Sequence, residues 1–342
     1  MTVKATTDPM VPIHVPRISL ALAVIWACGS ASLVQAQRPE PMPLDSTEIE
    51  VLHVQGSIYT VANAGANITL HVGDEGALVV DPSLATVSDK VLEAIKKLTD
   101  RPIRYLVNTS VDLDHIEAND AFVKAGEPFG GGGGFNPRET PIIGHENGVS
   151  RLSRASGTVD AVPVPLWPTQ TFFGAKKTMY FNGESIEIRH LPAAHTDADV
   201  LVYFRRSDVI SAGDAYVTST YPILNRLQGG SVQGAIDALN EIIDITIPAY
   251  NQQGGTLVIP GHGRISNEAD VVQVRDMLTI VRDRIKRMVD QGLTLEQVRA
   301  ARPTLEYDGL YGRDSGPWTT ERFIEAVYAD LREAVAGSQA SR

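Results

Sequence analysis

The chain has 342 residues, with 30 basic side chains against 41 acidic ones and a formal net charge of −11. A hydrophobic share of 43% and a charged share of 21% are ordinary globular usage and exclude disordered, collagen-like and coiled-coil classes. The one cysteine, Cys28, excludes an internal disulfide framework and a thiolate-rich zinc ribbon, and the acidic balance argues against a nucleic-acid partner, whose phosphates need a basic face.

Residues 1–36 read as an export signal. Lys4 and Arg17 precede the apolar run Ile18–Cys28, and small residues lead to Val34-Gln35-Ala36, an A-x-A-like end. The run falls short of the roughly 20 residues that a membrane-spanning helix needs. The expected location is therefore the periplasm or the exterior. The alternative is a lipoprotein, with Ile25-Trp26-Ala27-Cys28 as an imperfect lipobox and a lipid anchor at Cys28. Residues 37–46 follow as a Pro-rich linker.

Strand-like runs come next at Val51–Val61, Asn67–Val72 and Ala77–Val80, and then a helix at about Thr86–Leu98 with apolar residues at helical spacing. Arg104–Asn108 reads as a strand, and Ile116–Ala125 as a helix running into the glycine tract Gly130–Gly134. That tract precedes Phe135-Asn136-Pro137 rather than Gly-Lys-Ser/Thr, so it reads as a surface loop and not as a phosphate cradle. A second strand-rich stretch, Thr178–Ala212, precedes a helix at Ser231–Ile245 and a buried strand at Thr256–Ile259. Helices at Ala269–Asp290, Thr294–Ala301 and Thr319–Val335 close the chain, with Thr319 or Thr320 as the cap of the last. The order of strands then helix, given twice, predicts two α/β halves packed as one domain over 47–290, with a C-terminal helical extension at 291–342.

Three of the eight histidines lie just past a short apolar strand, beside acidic or glycine residues. His115 ends Asn108-Thr109-Ser110-Val111-Asp112-Leu113-Asp114-His115, His195 lies in Leu191-Pro192-Ala193-Ala194-His195-Thr196-Asp197, and His262 lies in Val258-Ile259-Pro260-Gly261-His262-Gly263. A fourth strand end, Ile210-Ser211-Ala212-Gly213-Asp214, adds a carboxylate. Imidazoles and carboxylates converging at strand ends suit a borderline divalent metal such as zinc, iron or manganese. His14, His53, His71 and His190 read as ordinary histidines, and His145, at a strand-to-helix junction, reads as a cap or a supporting group.

This order of motifs resembles the metallo-β-lactamase superfamily over about Val51–Ile265. The carriers are Ala77-Leu78-Val79-Val80-Asp81, the Asn108–His115 loop, Ala194-His195-Thr196-Asp197, Ala212-Gly213-Asp214 and Ile259-Pro260-Gly261-His262-Gly263. The resemblance implies a four-layer αβ/βα sandwich with a metal site along one edge between its sheets. It also implies hydrolysis of an amide (lactam), ester, thioester or phosphoester bond in a small-molecule substrate, with metal-activated water as the attacking group. By resemblance Asp114, His115, Asp214 and His262 hold a metal, and Asp81 orients the metal loop by hydrogen bonding.

The chain departs from that family in one place. Where the signature loop reads His-x-His-x-Asp-His, this chain has Ser110, Val111, Asp112, Leu113, Asp114 and His115, so two histidines of the first metal site are replaced while the third, His195, is kept. A serine hydroxyl is a weak zinc ligand, which leaves Ser110 a supporting role and makes Asp112 and His195 an oxygen-rich, weaker pair. The expectation is one firmly bound zinc, with the second position weak or empty. Asp114 is expected to be catalytic as well as a ligand, and Asp112 or His195, freed from ligation, would serve as general base. The alternative is a catalytically degraded protein that keeps the cleft for binding. A serine hydrolase finds no support, because no Gly-x-Ser-x-Gly elbow is present. Thr196 and Asn119 are expected to serve local turns, and Gly126–Pro141 and 157–176 are loops placed to shape a pocket.

Overall fold

The computed structural model describes residues 48–129, 139–153 and 162–340. The leader with Cys28, the linker at 37–46, His14 and the glycine tract all lie outside the described residues. Among the described residues no helix is long and apolar enough to cross a membrane.

The first half opens with β1 (Glu50–Gln55), β2 (Ile58–Ala62), β3 (Ile68–Gly73) and β4 (Gly76–Val80), an antiparallel meander. The single run expected at Val51–Val61 is thus two strands, folded back on itself at the Gly56–Ser57 turn. Helix α1 (Ser88–Leu98) crosses to β5 (Ile103–Val107), which pairs parallel to β4. The helix expected at Ile116–Ala125 is split into α2 (Leu113–Ile116) and α3 (Asn119–Ala125). The split is caused from outside the segment: the Ser83 N–H donates to the His115 carbonyl, and the Ser83 carbonyl accepts from the Ala118 N–H, so a helical bond is replaced by bonds to the loop after β4. Then β6 (Ile142–His145), α4 (Glu146–Leu152) and β7 (Gln170–Phe172) complete a seven-stranded sheet in the order β1-β2-β3-β4-β5-β6-β7. Strands β6 and β7 are too short to print a periodicity on the sequence.

The second sheet holds β8 (Lys176–Phe181), β9 (Glu184–His190), β10 (Val200–Phe204), β11 (Val209–Gly213), β12 (Leu257–Pro260) and β13 (Ser266–Asn267) in the order β13-β12-β11-β10-β9-β8. Helix α5 (Val232–Ile245) makes the crossover that lets β12 run parallel to β11. Helices α6 (Glu268–Asp290), α7 (Leu295–Ala300), α8 (Asp308–Tyr311) and α9 (Thr320–Ala340) follow. Their starts are written locally: α6 and α7 carry capping boxes, Asn267 with Asp270 and Thr294 with Gln297. Of the two candidate caps for α9, Thr319 is the one whose hydroxyl accepts from the Arg322 N–H.

Three apolar layers hold this order in place. Alternation along β4 sends Leu78 and Val80 to the space between the sheets and Ala77 and Val79 to the outer face, where they meet Val91 and Ile95 of α1 and Phe122 of α3. Strand β10 does the same, with Val200, Val202 and Phe204 facing the other sheet and Leu201 facing outward to α5 and α6. Strands buried on both faces read as continuous apolar runs, which is why they are conspicuous in the sequence. The result is helices, sheet, sheet, helices: an αβ/βα sandwich. Val298, Tyr311, Phe323 and Val327 of the C-terminal segment are buried in the same cluster as α5 and α6.

Candidate metal centre

Four strands, β4, β5, β11 and β12, end at one edge of the sandwich, because each parallel pair points both carboxyl ends the same way. Asp81 follows β4 with a left-handed backbone (φ 56°). Its carboxylate accepts from the Thr109 N–H at 2.8 Å and the Thr109 hydroxyl at 2.5 Å, which fixes the loop after β5. Asp112 occupies the N-cap position of α2, yet its side chain makes no cap hydrogen bond and meets His195 instead. Asp114 and His115 sit in that short helix. On the other sheet, Gly213 (φ 52°) ends β11 with no room for a side chain, since a Cβ there would lie 2.1 Å from the Thr109 hydroxyl. Gly261 is equally constrained, because a Cβ would come within 2.2 Å of an Asp214 oxygen.

These turns assemble two groups of side chains. Asp114, His115 and His262 form one, and Asp112, His195 and Asp214 form the other, each with its nearest donor atoms within 4.8 Å of one another. His262 Nε2 lies 3.1 Å from Asp114 and 3.6 Å from Asp214, and His115 Nε2 lies 3.3 Å from Asp214, so Asp214 touches both groups. His195 Nε2 lies 2.7 Å from Asp112. Its Nδ1 donates to the Ile223 carbonyl at 2.8 Å, which turns Nε2 toward the carboxylates. His115 Nδ1 lies 3.0 Å from Asp81.

The electrostatics are one-sided. Burial works against a charged His195, but the adjacent Asp112 carboxylate overrides it and lifts the ring to about 10. Burial likewise opposes charge on His115, and Asp214 with Asp81 raise it well above the usual imidazole range. Asp214 is buried, which alone would push it up, yet His115 and His262 hold it below the ordinary carboxylate range. Asp114 is buried too, which alone would raise it, yet the bond to His262 together with the His115 and His262 charges lowers it.

The residues fit a divalent cation. Both ring nitrogens of His115 and one Asp214 oxygen are buried without an aligned hydrogen bond, the condition of donor atoms gathered for a cation. Asp114, His115, His262 and Asp214 offer two imidazoles and two carboxylates, an ordinary donor set for zinc. Asp112, His195 and Asp214 offer one imidazole and two carboxylates, a harder, more oxygen-rich set.

Every expected ligand is therefore brought to this edge. Ser110 is buried beside it, with its hydroxyl accepting from the Asp112 N–H at 3.3 Å, so it shapes the loop that carries Asp112. His145 lies in neither group: it caps α4 by accepting from the Asn147 N–H and stacks on His190 at 3.6 Å. His53 bonds to the Gly56 carbonyl, and His71 pairs with Glu184 between the sheets. Thr196 closes a local turn on Asp199. Asn119 does not: its amide exchanges bonds with Asn108 and donates to the Leu166 carbonyl, tying α3 to distant loops. Thr109 and the Ile223 carbonyl escaped the sequence reading. Thr109 adjoins the metal loop and could have been suspected, whereas a backbone carbonyl 28 positions from its histidine leaves no sequence signal.

A family model for the metallo-beta-lactamase superfamily matches residues 63–262. The linear primary-alkylsulfatase of Pseudomonas sp. (strain ATCC 19151) is 24% identical over 258 residues, covering 66% of this chain and 47% of its own. Among solved structures, the stereoselective inverting sec-alkylsulfatase Pisa1 from Pseudomonas sp. superposes with a TM-score of 0.61 at 15% identity, over 82% of this chain and 50% of that one. The DIM-1 metallo-beta-lactamase gives a TM-score of 0.52 at 15% identity, over 68% of this chain and 98% of that one. The chain thus spans about half the length of the alkylsulfatases it matches. The family match takes in more than half of the chain, with Asp81 and every candidate ligand from Asp112 to His262, and the chain belongs to the metallo-β-lactamase superfamily.

Proposed function

We propose that the protein is a metal-dependent hydrolase acting on sulfate esters of alkyl chains, which gives an alcohol and sulfate. The observation that carries the hydrolase reading is the convergence of Asp112, Asp114, Asp214, His115, His195 and His262, with buried donor atoms left unbonded. The sulfate-ester reading rests on the two alkylsulfatase relatives. A divalent cation held there supplies Lewis acidity toward the ester and lowers the pKa of water. Asp114, His115, Asp214 and His262 are the proposed firm ligands. Asp112 and His195, paired at 2.7 Å, are placed to hold a second cation; in the absence of that cation the Asp112 carboxylate is the group placed to take the proton of the attacking water, because the His195 ring already carries its own. Asp81 holds the His115 ring, and Ser110 holds the turn that presents Asp112.

Zinc is the metal proposed for the firm group, with iron or manganese as alternatives that the same donors accept. Export, either as a free protein or anchored at Cys28, remains part of the proposal on the strength of the leader-like residues 1–36. The second reading, a binding protein without turnover, draws on the one departure from the family pattern at Ser110 and Asp112.

The test is sulfate release from octyl sulfate by purified protein supplied with Zn2+ or Mn2+. Turnover that chelation abolishes and added metal restores, and that Asp214→Ala lacks, supports the proposal. Protein that retains metal yet releases nothing from sulfate, phosphate, lactam or carboxylic esters points to the binding protein instead.

A further inference from the structure

Segment 215–225, between Asp214 and the turn before α5, touches the metal centre from two sides. Its Ile223 carbonyl takes the His195 Nδ1 proton at 2.8 Å, and its Asn225 N–H returns a bond to the His195 carbonyl at 2.9 Å. Further back, the Thr218 N–H donates to the His262 carbonyl at 3.0 Å, and the Thr218 hydroxyl accepts from the Arg264 N–H at 2.9 Å. The inner side of this segment thus orients one candidate ligand by its ring and braces the backbone of another.

The outer side of the same segment is held by the C-terminal part of the chain. Tyr221 is gripped at every polar group: its N–H donates to the Tyr311 carbonyl at 3.2 Å, and its carbonyl accepts the Trp318 indole N–H at 3.1 Å. Its hydroxyl donates to Asp308 at 2.9 Å, with the Thr304 carbonyl at 3.2 Å. Its ring lies flat on Phe323 at 4.4 Å, and Arg313 donates to the Ser219 carbonyl. Pro222 follows Tyr221 directly. Proline fixes its own φ and confines the residue before it, so few soft torsions separate the gripped Tyr221 backbone from the Ile223 carbonyl.

We propose that residues 304–318 act as a strap that positions the His195 imidazole, with Tyr221 and Trp318 as positioning residues acting through Ile223. This is a role for the C-terminal segment beyond covering α5 and α6. It rests on the metal-centre geometry and not on the sulfate-ester reading. A supporting bond to a metal-binding imidazole sets which nitrogen faces the metal, so loosening the strap loosens the ligand.

The test uses full-length protein labelled with 15N-histidine, in metal-free and Zn2+-loaded form, with the His195 Nδ1–H signal assigned by its loss in His195→Gln. Trp318→Phe removes the indole donor and keeps an aromatic ring; Tyr221→Phe removes only the hydroxyl. Each is expected to speed solvent exchange of the His195 Nδ1 proton by about five- to tenfold, the factor carried by one neutral hydrogen bond. Each is also expected to weaken the less tightly bound Zn2+ equivalent by up to about tenfold. The control is Tyr328→Phe, which deletes a similar bond from α9, to the Leu293 carbonyl, without touching segment 215–225. Faster exchange in the two strap variants and none in the control supports the proposal. Equal effects in all three would show general loosening of the helical layer, and unchanged exchange in the strap variants would show that Ile223 is held without them; either result overturns it. Because exchange is read without substrate, failure of the sulfatase reading leaves this result standing.

Discussion

Glu184 offers the sharpest quantitative test of the fold. It begins β9 at the end of the sandwich remote from the metal centre, with its side chain 1% exposed. Its carboxylate accepts from the Arg206 and Ser207 N–H groups at 3.0 Å each and from the Ser207 hydroxyl at 2.8 Å, and it lies 3.0 Å from His71 Nε2 of β3. Burial alone would raise this acid; the contact with His71 and the Ser207 donors reverse that and hold it at about 2, against 4.5 for a free glutamate. A depressed carboxyl stabilises the native state above its unfolded pKa and loses that contribution as pH falls through the folded value. At about 1.4 kcal/mol per pH unit, the contribution is about 3 kcal/mol at pH 7, fading between pH 4.5 and 2. Glu184→Gln should therefore lower unfolding stability by about 3 kcal/mol at pH 7, because a neutral amide gives up the charge that His71 and the Ser207 donors stabilise. Urea denaturation at steps from pH 7 to pH 3 is the assay, and the gap between parent and variant should narrow below pH 4.5. A gap under about 1 kcal/mol at pH 7, or one that stays constant with pH, refutes the reasoning. Metal content should not change, since the pair is remote from the centre.

At the metal edge, Asp81→Asn keeps a residue that tolerates φ 56° but removes the charge facing His115 Nδ1. Zinc affinity measured by chelator competition should fall about 10- to 100-fold. Asp112→Ala takes one of the two carboxylates from the oxygen-rich group. Elemental analysis after dialysis should show the weaker metal equivalent lost and the firm one kept; loss of both would sink the division into unequal sites. Gly213→Ala forces a Cβ to within 2.1 Å of the Thr109 hydroxyl at a left-handed position. We expect at least about 2 kcal/mol of destabilisation in thermal unfolding, with reduced metal retention because Asp214 moves with the turn.

Much of the candidate centre was legible because candidate ligands at strand ends are adjacent to apolar runs that announce themselves. Asp114, His115, His195, Asp214 and His262 each follow such a run, and the structure brings them to one edge. The helix at Ile116–Ala125 misled for the opposite reason: its residues favour continuation, and the bond that breaks it comes from Ser83, outside the segment. Asn119 misled likewise, since its partners Asn108 and Leu166 lie 11 and 47 positions away.

The sequence alone determined the layers, because strands buried on both faces need unbroken apolar runs and helices need a repeating stripe. It also determined which residue types could meet a metal, and that two expected histidines are Ser110 and Asp112. Only the tertiary structure decided what those two replacements do. It turned Ser110 onto its own loop and set Asp112 at 2.7 Å from His195, a pairing across 83 positions of chain. Similarly, His71 reads as an ordinary core histidine until Glu184 arrives from the other sheet. Contacts of this kind depend on how two sheets are superposed, and no local pattern encodes that superposition.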